Sequence, residues 1–358
     1  MTTTTQPAVV GSNWGSANSP DALQFVNDDG WMITDGGIMA TTDGGVTWHV
    51  SYSGPEQPTI IDFVGPEDGW ALRNAGTTVA GSIPDTAGLL RTTDGGHTWS
   101  YLGEPSEGGL RWIDFTGPAT GWALTVAGGL LTTTDGGGGW TAVPAPSAGS
   151  LCITTGGVVW LGVASGAVEE SQDGGTSWEV SLPWASEFTP FDGPPIIPWM
   201  TCSGSAAWAL YDWGEAAGSS AYVVMATADG GGHWAPILSG LPDSVDPALA
   251  GLPNASATVL DGGSTGNGAG WFLGECGACG MTGSGVMVTV TGAGTPHSAP
   301  LPEPAVEGSF ADPQHGWVVA QAAPTGPMPA GGYPWMVLAS TNGGATWNLV
   351  ATIPFAPY

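Results

Sequence analysis

Thr41-Thr42-Asp43-Gly44-Gly45-Val46-Thr47-Trp48 is the stretch on which the fold turns, because it comes back. It returns at 92–99 (TTDGGHTW), 133–140 (TTDGGGGW), 171–178 (SQDGGTSW), 227–234 (TADGGGHW) and 340–347 (STNGGATW). The 113 residues from Asp229 to Asn342 leave room for one more unit, and 289–296 (TVTGAGTP) fits there as a decayed copy without Asp or Trp. A second phrase precedes the first: a tryptophan after a small residue, followed by apolar residues, at Trp31, Trp70, Trp122, Trp160, Trp208, Trp271 and Trp317. Two independent counts therefore give seven units. The tryptophans are spaced 38 to 63 residues apart, and short-strand repeats of about 40–50 residues indicate a β-propeller.

Each unit reads as four strands. In the first, LQFV (23–26) is strand A, WMIT strand B, IMATT strand C and TWHV strand D. Period-2 alternation is short but present, and Gly, Asp and Asn bound each run. The Asp-Gly-Gly segment is the C–D hairpin. Its Asp accepts hydrogen bonds from nearby backbone, its Gly supplies positive φ, and its Trp fills the gap between adjacent sheets. The expected fold is all-β: one seven-bladed propeller over 21–358, with four-stranded antiparallel blades at about 21–54, 59–104, 110–145, 150–183, 199–240, 256–300 and 306–355. Residues 1–20 form an N-terminal segment in which 8–14 (AVVGSNW) resembles a D-strand remnant that would pair beside the last blade.

Composition excludes several functions. Gly 61 and Pro 30 are too many for a long helical protein. Charged residues are 9% and the net charge is −28, with three Arg and no Lys. Too few cations are present to neutralise nucleic-acid phosphates or to dock on anionic lipid. No apolar run approaches the roughly 20 residues of a membrane span. The start, MTTTTQPAVVGSNWG, has neither the basic region nor the apolar core of a signal peptide. A surface this poor in bases suits an extracellular setting.

The S/T-x-D-x-G-x-T-W phrase is the Asp box, and the chain resembles the BNR/Asp-box propellers, among them sialidases, xyloglucanases, sortilin-like receptors and photosystem II stability/assembly factors. It looks most like the last group, through Ile61-Asp62-Phe63, Gly69-Trp70-Ala71-Leu72 and 90–99 (LRTTDGGHTW), and the resemblance runs over about 21–355. It implies the propeller fold and leaves function open, because enzymes and non-enzymes share the device. Two departures stand out. Sialidases resemble one another in an arginine triad, whereas the arginines here are Arg73, Arg91 and Arg111, with Arg91 in a repeat strand and no Arg-Ile-Pro phrase. The assembly factors are expected to carry an arginine-rich patch, which this chain lacks.

One propeller face carries the extra chain. The Trp-to-Asp interval, which reports the B–C loop, is 12 or 13 in units 1, 3 and 4, and 20 to 25 in units 2, 5, 6 and 7. The D–A connections 182–198 and 241–263 are long as well. Insertions gathered on one face of a repeat fold mark a binding face. Of six tryptophans outside the repeat phrases, Trp112, Trp184, Trp199, Trp213 and Trp335 map to that face, with Phe188, Phe191, Tyr211 and Tyr333, and the sixth is Trp14. Trp112, Trp184, Trp199, Tyr211, Trp213, Tyr333 and Trp335 are the candidate ligand-binding residues, against the alternative that the rings pack the loops onto the blades.

Candidate chemistry is sparse. Asp62 and Asp114 share one register, eight residues before the unit tryptophan, on the innermost strands. They are the candidates for a glycosidase acid/base pair, or else a recurring polar position satisfied by backbone. His49, His97, His233, His297 and His315 sit mostly at turns of the other face and build no Ser/His/Asp order. Cys152 and Cys202 fall on A strands of neighbouring blades, where a disulfide fits and would imply an oxidising compartment. Cys276 and Cys279 read as a local disulfide, with half a metal site or a redox pair as alternatives, and no second CxxC supports zinc. Asp43, Asp94, Asp135, Asp173, Asp229 and Asn342 are structural Asp-box residues rather than calcium ligands. Asn254-Ala255-Ser256 is a glycosylation sequon.

These readings lead to a non-catalytic, extracytoplasmic binding or scaffold propeller, expected to be a monomer without metal or cofactor, recognising a glycan or a protein surface on the loop-rich face. A glycoside hydrolase or lyase acting on neutral polysaccharide is the alternative. An assembly factor for a membrane protein complex is the third reading.

Overall fold

A computed structural model describes residues 22–34, 37–54, 57–74, 88–106, 108–154, 156–183, 195–216, 219–241, 252, 258–266, 268–275, 285–321 and 334–353. They form seven four-stranded antiparallel sheets, each in simple sequence order. Blade 1 is β1 (Ala22–Val26), β2 (Asp29–Thr34), β3 (Gly37–Thr41) and β4 (His49–Tyr52). Blade 2 is β5 (Gln57–Phe63), β6 (Gly69–Asn74), β7 (Gly88–Thr92) and β8 (Ser100–Gly103). Blade 3 is β9 (Leu110–Phe115), β10 (Gly121–Thr125), β11 (Leu130–Thr133) and β12 (Thr141–Val143). Blade 4 is β13 (Ala148–Ile153), β14 (Val159–Val163), β15 (Val168–Ser171) and β16 (Glu179–Leu182). Blade 5 is β17 (Ile196–Ser203), β18 (Ala206–Ala216), β19 (Ser219–Thr227) and β20 (Ala235–Ser239). Blade 6 is β21 (Thr258–Gly266), β22 (Ala269–Glu275), β23 (Val286–Thr291) and β24 (His297–Pro300). Blade 7 is β25 (Ala305–Phe310), β26 (Gly316–Gln321), β27 (Trp335–Ser340) and β28 (Asn348–Ile353). No helix of the described residues is long and apolar enough to cross a membrane.

The first strand of every blade touches the first strand of the next, and β1 meets β25, so the ring closes. Blade 7 takes its outer strand from its own C-terminal β28. Closure rests on side chains: the Phe25 amide donates to Ser309 Oγ at 2.9 Å, and Trp317 stacks on Phe25 with ring centroids 4.0 Å apart. Residues 8–14 lie outside the described residues.

The two repeated phrases are one joint seen from both sides. In blade 1, Thr41 Oγ1 donates to Asp43 Oδ1 at 2.8 Å, and Thr47 gives its amide to Oδ1 and its hydroxyl to Oδ2. That network holds Gly44 and Gly45 at φ 71° and 88°, in the left-handed region open to glycine. The Gly44 amide donates to Asp28 O, tying the C–D turn to the A–B turn of its own blade. Its carbonyl accepts from the Trp317 indole of blade 7 at 2.9 Å. Trp31 repeats the link to Gly95, Trp70 to Gly136 and Trp208 to Gly292, always one blade onward. Gly292 belongs to the decayed copy: losing the Asp and Trp left its backbone role intact.

Each stacked tryptophan meets a phenylalanine from the A strand of the next blade. Trp31–Phe63 centroids are 3.5 Å apart and Trp70–Phe115 3.6 Å. Those phenylalanines also meet their own blade's Asp-box tryptophan edge-on, as Phe63 meets Trp99 at 5.9 Å. Offset and edge-on packing of this kind adds about 0.5–1.5 kcal/mol per pair beyond area burial.

Candidate binding rim

The inner strands carry a second series of links between blades. Gln24 accepts from the Phe63 amide at 2.8 Å through Oε1 and donates to Phe63 O at 3.0 Å through Nε2. Asp62 Oδ2 accepts from the Phe115 amide at 2.6 Å, and Asp114 Oδ2 from the Ile153 amide at 3.2 Å. Asp261 Oδ2 accepts from the Gly308 amide at 2.9 Å. Between blades 4 and 5 the place is taken by the Cys152–Cys202 disulfide. Asp62 and Asp114 thus each bond the backbone of the following blade, and Asp62 is 3% exposed. Burial, against the opposing Ile153 amide, pushes Asp114 up to about 7. Burial likewise raises Asp261 to about 8.

The Asp-box rim is closed on itself. The Thr47 hydroxyl and amide bonds hold Asp43 down at about 2, and equivalent bonds do the same for Asp94, Asp173 and Asp229. Asn342 keeps the geometry with an amide, accepting from the Thr346 amide at 2.9 Å and donating to Thr346 Oγ1 at 2.8 Å. Asp135 accepts from the Gly139 amide at 2.9 Å. His97 Nδ1 lies 2.6 Å from Asp94 O and His233 Nδ1 2.6 Å from Asp229 Oδ2, so both imidazoles are engaged within their own turns. Among the described residues no group of three His, Cys, Asp or Glu is placed to hold a metal ion.

The opposite rim, where B strands end and A strands begin, corrects the reading of the extra aromatics. Trp112, Trp199, Tyr211 and Trp335 are strand residues, not loop residues, and are 8, 5, 1 and 9% exposed. They offer no open stacking platform. The Trp199 indole donates to Gly262 O at 3.0 Å, a bond from blade 5 to blade 6, and a Cβ on Gly262 would meet that ring. Trp335 opens β27 and packs with Leu23, Phe25 and Met32 across the closing seam. Trp112 packs with Leu110, Leu124 and Leu151 at the seam of blades 3 and 4. The A strand of blade 5 begins earlier than its sequence suggests, because Pro198 sits at a bulge between Ile196 and Trp199.

Trp213 lies not in a loop but on β18, which runs to Ala216 and turns back as β19 from Ser219. Among the described residues β18 and β19 form a longer hairpin, paired as far as Ala216 opposite Ser219. The sequence places Trp213 in the B–C loop, because the run has no period-2 alternation and Gly214 and Gly218 follow it. Trp213 is half-buried, and its ring lies 6.2 Å from Tyr211, edge to face. Trp184, Tyr333, Cys276, Cys279 and Asn254 lie outside the described residues.

No family model matches the chain, and no curated protein matches it. Among solved structures it is similar to YCF48 bound to a D1 peptide, at 19% identity, covering 94% of this chain and 96% of that one with a TM-score of 0.55. It is similar to the GH74 enzyme of Niastella koreensis at 12% identity, covering 97% of this chain and 67% of that one, TM-score 0.54. It is similar too to the GH74 xyloglucanase of Xanthomonas campestris at 14% identity, TM-score 0.58, where the match covers 95% of this chain but 54% of the enzyme. At these identities the likeness is one of fold.

Proposed function

We propose that this chain is a binding propeller acting outside the cytoplasm, which holds a protein or glycan partner on the rim formed by its B–C and D–A connections. The observation that carries the reading is the difference between the two rims. On the Asp-box rim the turns spend their polar groups on one another and on the neighbouring blade. On the other rim, β18 and β19 of blade 5 reach 11 and 9 residues and, among the described residues, stay paired with each other beyond their pairing with β17 and β20, and Ile196 beside them is 63% exposed. The inter-blade disulfide supports an oxidising compartment. YCF48 bound to a D1 peptide and the GH74 xyloglucanase offer two precedents in fold, a protein partner and a glycan.

A binder obtained from peptide and neutral-oligosaccharide arrays tests this. Val46, 57% exposed on the Asp-box rim, and Val126, 61% exposed on the opposite one, serve as attachment points for a bulky polymer through Val46→Cys and Val126→Cys. Polymer at 126 is expected to abolish binding and polymer at 46 to leave it intact. The reverse pattern sinks the reading.

The hydrolase reading would need Asp114 as its acid, although Asp114 Oδ2 already accepts from the Ile153 amide of the next blade at 3.2 Å. Release of reducing ends from a bound oligosaccharide, lost in Asp114→Asn, would establish it.

A further inference from the structure

The outer strand of blade 1 lies against the Asp-box turn of blade 2. Trp31 Nε1 donates to Gly95 O at 2.9 Å, and Ser51 Oγ of β4 donates to Gly96 O at 2.6 Å. Trp99 Nε1 donates back to Ser51 Oγ at 3.0 Å. Three bonds thus hold the turn 94–99 against blade 1. Each side of this joint presents a histidine. His49 opens β4, and His97 sits in the turn between Gly96 and Thr98. Their ring centroids are 6.1 Å apart with planes tilted by 43°, and both residues are exposed.

His97 is oriented for a further bond. Its Nδ1 lies 2.6 Å from Asp94 O, and a carbonyl can only accept, so the ring proton sits on Nδ1. The neutral ring is left with a lone pair on Nε2. One ring nitrogen donating to a backbone carbonyl while the other stays available is the arrangement that orients imidazoles on metal ions. A metal roughly 2.0–2.1 Å from one nitrogen of each of two imidazoles sets their centroids about 5–6 Å apart, according to the angle at the metal. The observed separation asks for only a small turn of the exposed His49 side chain.

The pairing is particular to this joint. The same two positions hold Ser100 and Gly138 at the next seam, Glu179 and Gly232 between blades 4 and 5, and His297 and Ala345 between blades 6 and 7. His233 and His315 each lean on a single carboxylate nearby in their own blade. Imidazole nitrogens suit Cu2+ and Zn2+, whereas Ca2+ and Mg2+ take oxygen ligands. The neighbouring Asp43 and Asp94 spend their carboxylates on the amides and hydroxyls of Thr47 and Thr98. A net charge of −28 raises the local concentration of any dication.

We infer that His49 and His97 form a surface site for a borderline divalent transition-metal ion, Cu2+ or Zn2+, held by Nε2 of His97 and one ring nitrogen of His49. The ion bridges blades 1 and 2. Among the described residues no third His, Cys, Asp or Glu joins the pair, so water fills the remaining positions. The site lies on the Asp-box rim and does not depend on what the opposite rim binds.

The test uses the full chain without an affinity tag, stripped with a chelator and titrated calorimetrically with Cu2+ and, separately, Zn2+. One strong site is expected for each ion, tighter for Cu2+, and none for Ca2+ or Mg2+. His49→Ala and His97→Ala should each weaken it on the order of a hundredfold, because a second donor already held in place adds that much to the first. His233→Ala and His315→Ala should leave it unchanged. The metal-free thermal midpoints of His49→Ala and His97→Ala should stay near wild type, which separates loss of a ligand from loss of the fold. Saturating Zn2+ should raise the midpoint of the wild type and not of these two variants. Electron paramagnetic resonance of the Cu2+ form should show two coupled imidazole nitrogens in the wild type and one in each variant. Wild-type affinity no better than that of the variant lacking both histidines, single variants that bind like wild type, a single coupled nitrogen in the wild type, or a strong site for Ca2+ each overturn the inference.

Discussion

Asp62 shows what one position of the repeat is for. It pairs with Trp70 across the first hairpin of its blade and holds the Phe115 amide of the next blade at 2.6 Å. Gln24 does the same in blade 1 with an uncharged amide, so the position needs an acceptor and not a charge. Asp62→Ala leaves the Phe115 N–H buried without that acceptor and is expected to cost about 1–3 kcal/mol. Asp62→Asn keeps the oxygen and should lie near wild type in chemical denaturation. Equal losses in the two variants would show that the charge itself matters. The register was visible in the sequence as a carboxylate eight residues before the unit tryptophan. That it points into the neighbouring blade was not, because the partner is a backbone amide 53 residues away.

At the scale of the element, the Gly-Trp phrase has a reason that lies on the opposite strand. Gly69 pairs with Phe63, and a Cβ there would come within 2.3 Å of the Phe63 ring. Gly30, Gly121 and Gly316 face Phe25, Phe115 and Phe310 in the same way. The ring of each phenylalanine lies over its own glycine so that its face can meet the tryptophan of the preceding blade. Gly69→Ala is expected to cost about 1–3 kcal/mol through overpacking. Gly117→Ala, where a Cβ meets nothing within 4 Å, should be neutral. A neutral Gly69→Ala would mean that the ring moves aside freely. Seven blades, four strands each and the C–D position of the Asp box could be read from residues because each phrase is local and repeats. The extra aromatics misled because aromaticity does not distinguish a ring packed between blades from one offered to a ligand. Trp199 and Trp335 became core when their strands proved longer than the period-2 pattern, interrupted by Pro198 and Pro334, allowed.

Across the whole molecule, opposing carboxylate shifts set the dependence of stability on pH. Asp43, Asp94, Asp173 and Asp229 are held at about 2, below the roughly 3.9 of an unfolded chain. Their contribution is present above pH ~3.9 and is lost as pH falls through about 2. Asp114 and Asp261 are raised to about 7 and about 8. Their contribution is fully present below pH ~3.9 and is lost as pH rises through those values, because the unfolded chain ionises them freely and the buried seams do not. With three arginines and no lysine to offset 31 acidic residues, self-repulsion grows in the same direction. Thermal midpoints measured from pH 2 to 9 should therefore peak in mild acid, close to pH 4, and decline on both sides. Asn at both 114 and 261 keeps an acceptor for the Ile153 and Gly308 amides while removing the titration, so the double variant should decline less steeply between pH 4 and 8 and keep the acid limb unchanged. A wild-type midpoint that is flat or rising from pH 4 to 8, or a double variant with an undiminished slope, would place the pH response elsewhere than in these two buried seams.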